Sequence, residues 1–161
     1  MDIFDEWINK LRGFDLWDIV INILYKHRDR IIEFNKIQLA SGKNTLDQDI
    51  SPDYFSDPFF KSAAHSQAYA KWKDKLENPF EQSKGFRIPD FYITGRMVYD
   101  TLNAKIVGDE IIIEPSDKDA KSFDSKWKNI YGVSDAHIEL LLKQIMPEVY
   151  KEMNKYFKTK G

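Results

Sequence analysis

The sequence predicts an α+β domain in which long N-terminal and C-terminal helices pack on a small antiparallel sheet. Three observations carry that reading. Helical spacing of apolar residues fills both ends of the chain, a period of two brackets a Gly108-Asp109 pair, and a second alternating stretch over 86–93 precedes it. The length of 161 residues suits a single domain over 1–161 and one core that buries roughly two-thirds of the unfolded surface.

Ile3, Phe4, Trp7, Ile8 and Leu11 share one face of a short helix that Gly13 ends. Asp15 then caps a longer helix over 16–40, with Ile19, Val20, Ile23, Leu24, Ile31, Phe34 and Ile37 inward and Gly42 as its stop. Its charged middle, Lys26 to Arg30, reads as a solvated stripe paired with Asp29 and Glu33 rather than a phosphate-binding one. Residues 41–60 form a long loop or arm rich in Ser, Asn, Asp and Pro, and its rings Tyr54 and Phe55 need something to cover them.

A helix over 59–76 follows, ended by Asn78-Pro79. Residues 86–93 alternate as a strand, and Pro89, which has no N–H to give a ladder, assigns that strand to a sheet edge. Thr94 is placed to cap a short helix with Met97, Val98 and Leu102 inward, and Gly95 and Arg96 complete the motif. The hairpin comes next, from Ala104 through Gly108-Asp109 to Glu114, with Pro115 expected to stop the pairing. Phe123 and Trp127 share a short helical face. Ser134 caps a last helix carrying Ile138, Leu141, Leu142, Ile145, Val149, Met153 and Tyr156, expected to kink or restart with Pro147 in its first turn and to bend near Gln144 to Met146, and 158–161 form a frayed tail.

The order Thr94-Gly95-Arg96-Met97, Gly-Asp hairpin, Tyr131-Gly132, and Ser134-Asp135 opening a final amphipathic helix resembles the tail-completion, or virion morphogenesis, proteins of tailed bacteriophages. The likeness covers roughly residues 90–158. Lys128-Asn129-Ile130 stands where that family often has a His or Gln, and Asp117-Lys118-Asp119 lengthens the connection after the hairpin. The resemblance implies a small α+β subunit of a head-tail connector or neck ring. Its partners would be copies of itself and portal, adaptor or tail proteins, and it would reside in the virion after synthesis in the bacterial host cytoplasm.

Composition narrows the alternatives. Twenty-six acidic against 24 basic residues give a net charge of -2, no field for sequence-specific or bulk nucleic-acid binding. The absence of cysteine removes thiol chemistry and cysteine-ligated zinc. No apolar run approaches the roughly 18 to 20 residues of a membrane span, and the N-terminus lacks the basic start of a signal peptide, so no membrane association is expected.

No phosphate-binding glycine loop, nucleophile elbow or His-Glu-x-x-His motif occurs. His27, His65 and His137 lack a second ligand at helical spacing. Asp47, Asp49, Asp53 and Asp57 crowd the loop without the Gly and Glu of a calcium loop, and read as turn and cap residues, as do Asp117, Asp119 and Asp124. The expectation is a protein without turnover, metal or cofactor. A small metal-dependent hydrolase or nuclease using the loop aspartates, and a monomeric protein-binding adaptor, are the alternatives. With 11 Phe, 8 Tyr and 4 Trp, some rings are expected to face a partner, and Tyr54, Phe55, Phe86, Phe91 and Tyr92 are the predicted interface.

Overall fold

A computed structural model describes residues 14–80 and 84–159. In order these form α1 (Leu16–Lys26), α2 (Arg28–Ala40), α3 (Ala63–Lys73), β1 (Leu102–Val107), β2 (Glu110–Pro115), α4 (Lys118–Lys126) and α5 (Asp135–Thr159). The class is the predicted one: helices from both ends of the chain packed on a two-stranded antiparallel sheet. The helix predicted over 2–12 lies outside the described residues.

Asp15 caps α1 as its position requires, its Oδ1 accepting from the N–H groups of Trp17 and Asp18 at 2.8 and 3.2 Å. The single helix predicted over 16–40 is instead two. His27 leaves helical geometry at φ −93° and ψ 18°, and its Nε2 lies 2.7 Å from Glu148 Oε1 of α5. The apolar positions on either side of this break serve different neighbours. Ile23 of α1 packs with Ile145 and Val149 of α5, whereas Ile31 and Phe34 of α2 join the main core with Val98, Leu102 and Ile113. Gly42 ends α2 as expected: it adopts φ 68°, and an added Cβ would run into the Ile88 side chain.

The predicted loop after α2 is present and closely stitched. Asn44 Oδ1 accepts from Leu46 and Gln48 N–H at 3.0 Å each, Thr45 N–H reaches Asn129 O at 2.8 Å, and Ile50 is buried. The following helix is shorter than predicted, because Asp57 Oδ1 holds Phe59 N–H in a turn and Ser62 Oγ, accepting from His65 N–H at 3.2 Å, sets the start of α3.

Residues 86–93 form no strand. Pro89 and the buried Asp90 interrupt any ladder, and the backbone polar groups find other partners: Arg87 O accepts from Tyr54 N–H at 2.9 Å and Tyr92 O accepts from Lys73 Nζ. Nor does Thr94 cap a helix. Gly95 adopts φ 80°, outside helical geometry, and 94–101 pass through turns closed by Asp100 N–H to Gly95 O and Leu102 N–H to Val98 O. Val98 and Leu102 are inward as expected, but Met97 is 45% exposed.

The hairpin turns at Gly108-Asp109 as predicted, with Val107 opposite Glu110 and Ala104 opposite Ile113. Pro115 does not end it but pairs with Leu102. Ser116 N–H donates to Thr101 O at 2.9 Å, so the alternation of antiparallel pairs puts Pro115 at a position whose N–H is not needed. Asp117 caps α4, accepting from Asp119 and Ala120 N–H at 2.9 Å each, and Trp127 follows its last turn.

α5 does not stop or restart at Pro147 but runs 25 residues through it. Ile145 and Val149, on either side of the proline, are both buried against Ile23, so packing offsets the lost backbone bond. Of the tail expected to fray, Lys158 is helical too, while 160–161 lie outside the described residues. Thr159 is helical, and the Phe14 ring packs at a tilt against Tyr156 and Phe157, its centroid 5.0 and 5.1 Å from theirs. Among the described residues no helix is long and apolar enough to cross a membrane.

Candidate functional site: an aromatic cavity over a buried ion pair

The least regular part of the chain builds the most chemically distinctive place on it. α3 presents Tyr69 and Lys73 on successive turns, four residues apart and so on one face. The segment from Pro89 to Met97 crosses in front of that face, and Phe123 of α4 and Trp127 just after it close it. The cavity so formed, open to solvent on one side, is about 350 Å³.

Its floor is an ion pair. Lys73 Nζ donates to Asp90 Oδ1 and to the Tyr92 carbonyl, and both side chains are almost wholly buried. Lys84 Nζ lies 3.7 Å from the other Asp90 oxygen. Asp90 also accepts from Tyr92 N–H at 3.1 Å, while its carbonyl takes the Tyr99 hydroxyl at 2.6 Å. These bonds replace the ladder that residues 86–93 lack. They also let Phe91 take a positive φ of 55°, costly for a bulky residue, and place its ring among those of α4.

The walls are rings. Phe91 meets Trp127 edge-on at 5.0 Å and lies against Phe123 at 5.7 Å; Tyr54 meets Tyr69 edge-on at 5.1 Å. Trp127 donates its indole N–H to Pro52 O at 2.9 Å, which fixes the ring from behind. Burial pushes the Tyr54 phenol far above its ordinary range, and the Asp90 charge adds to the effect. Burial and then Asp90 raise Tyr69 in the same way. Both hydroxyls therefore stay protonated at neutral pH.

The predicted interface residues separate into two groups. Tyr54 is only 6% exposed and, with Phe91, lines the cavity, while Tyr92 packs edge-on against buried Tyr99 at 5.1 Å. Phe55 and Phe86, 39% and 38% exposed, meet edge-on at 5.7 Å on the surface, with the Arg87 guanidinium 4.4 Å from the Phe55 ring centre. Of the Thr94 to Met97 motif, Thr94, Gly95 and Met97 line the cavity and Arg96 is exposed outside it. The role assigned to Thr94 was a helix cap; its observed place is a cavity rim.

Sequence reasoning missed Lys73 and Asp90. They lie 17 residues apart in segments read as a helix and an edge strand, and the one available signal was an aspartate between a proline and an aromatic run. Three of the four loop aspartates have ion-pair partners: Asp49 pairs with Lys43 at 2.9 Å, Asp53 with Arg87 at 2.8 Å, and Asp57 with Lys126 at 2.6 Å. Among the described residues no three His, Asp or Glu side chains gather as a metal site. Comparison with protein-family models, with curated proteins and with solved structures finds no match to this chain.

Proposed function

We propose that the chain is a structural subunit of a tailed-phage virion, part of a head-tail connector or tail-completion ring, acting by assembly rather than turnover. It would be made in the bacterial host cytoplasm and end in the particle, bound to copies of itself and to portal, adaptor or tail proteins. The motif order over 90–158 supplies the family resemblance.

The observation that carries the assembly reading is the surface set of Phe55, Phe86 and Arg87. These are partly exposed, already in contact with one another, ring edge to ring face and guanidinium over ring, and of the residue types that anchor protein interfaces. Arg87 is also held at 2.8 Å by Asp53, so the set is pre-organised and loses little freedom on binding.

The test is a Phe55→Ser/Phe86→Ser double variant supplied during infection of the bacterial host, with the protein quantified in purified particles. The expected result is a folded protein that fails to join virions. Normal incorporation would overturn the assigned interface.

A further inference from the structure

Beyond the assembly reading, we propose that the cavity between α3, α4 and the Pro89 to Met97 segment binds a small, uncharged, bicyclic aromatic molecule. Size sets the first limit. Benzene fills an apolar cavity of roughly 150 Å³, so about 350 Å³ accommodates a fused pair of rings with room to orient. Chemistry sets the second, since five aromatic side chains, Tyr54, Tyr69, Phe91, Phe123 and Trp127, contribute to the wall. A planar ring meets faces and edges there with which it packs well.

The class is uncharged because of what the floor already does. Lys73 is the charged side chain in the wall, and its ammonium is bonded to the Asp90 carboxylate and the Tyr92 carbonyl. An anion would have to compete with Asp90 for it, and a cation would meet a cation. Either would give up hydration without an equivalent return. What the wall offers a neutral ligand is hydroxyl chemistry. Neither Tyr69 nor Thr94 has a side-chain hydrogen bond to another described residue, and burial keeps the Tyr69 phenol protonated as a donor. A heterocyclic N–H or a ring hydroxyl fits that pair.

Calorimetric titration of the full chain with indole, indole-3-acetate and tryptamine tests this. Indole is expected to bind saturably at one site with a dissociation constant of about millimolar, the range for so few atoms, and each charged analogue about tenfold or more weaker. Met97→Trp, at a rim position 45% exposed, should fill the mouth and abolish binding while leaving the unfolding midpoint unchanged. Thr94→Val, which keeps the shape and removes the hydroxyl, should weaken indole about three- to tenfold, and serves if the first variant misfolds. No saturable heat with indole, full affinity in both variants, or a charged analogue binding as tightly as indole would each overturn the proposal. Particle assembly does not enter these measurements, so their failure is separate from failure of the virion reading.

Discussion

The two sides of this molecule are built by different means. On one, α1 lies along α5 through Ile23, Ile145 and Val149, with Ile19, Val20 and Met153 around them, an interface of periodic apolar residues on regular helices. On the other, the cavity walls come from a loop, a short helix and an irregular segment, held by a buried lysine-aspartate pair and by rings in contact. The first side distributes its stability over many interchangeable methyl groups. The second concentrates it in a few directional contacts, so it should tolerate substitution less evenly.

The largest expected effect is therefore on the cavity side. Lys73→Met leaves Asp90 buried beside a single lysine at 3.7 Å, and should destabilise the chain by about 3 to 5 kcal/mol in urea unfolding. Lys73→Met/Asp90→Asn should recover part of that loss. If the single variant unfolds like the parent, the pair does not hold the segment. On the helical side, Ile145→Ala removes a fully buried side chain and should cost about 2 to 5 kcal/mol. A smaller loss would mean that α1 and α5 close over the gap.

These contrasts match what the sequence makes legible. The α5 helix, the Asp15 cap, the Gly42 stop and the hairpin turn all express local rules, periodicity and backbone chirality, and each is where those rules put it, although Ile138 and Leu142 of the α5 pattern stay exposed. The break at His27 was hidden, because the residues before and after it are each good helix formers and the partner of the His27 ring, Glu148, is 121 residues away. The false strand at 86–93 has the right alternation, but Asp90 is satisfied by Lys73 from a distant helix, a pairing no local window contains. Pro115 and Pro147 both looked like interruptions. Register tolerates the first, and flanking burial the second. Of the cavity, the Phe123 and Trp127 face was readable from spacing; Tyr69 and Lys73 were not.

Capping offers a smaller comparison. Asp15→Ala should cost about 0.5 to 2 kcal/mol, since its carboxylate accepts two helix N–H groups. Thr94→Ala, at a rim position with no helix to cap, should change the unfolding free energy by less than about 0.5 kcal/mol. Equal losses would restore the cap reading of Thr94.

The smallest effect is one of pH. His137 stacks on Phe34 with ring centres 4.5 Å apart, and burial lowers its pKa below 6.5, opposed by Asp47 and assisted by Arg30. The unfolded chain thus binds the proton more tightly. The contribution is fully present above about pH 6.5 and is lost as pH falls through the lower folded value. His137→Gln should flatten this part of the stability profile. An unchanged slope between parent and variant would exclude His137 as its source.

The measurement that bears most directly on the assembly account is the number of copies of this chain per purified particle, counted by quantitative mass spectrometry against isotope-labelled peptides. A ring subunit predicts a fixed number greater than one, the same in every preparation and retained through high-salt washing. A chain absent from particles, or present at a variable amount that washes away, would contradict the account.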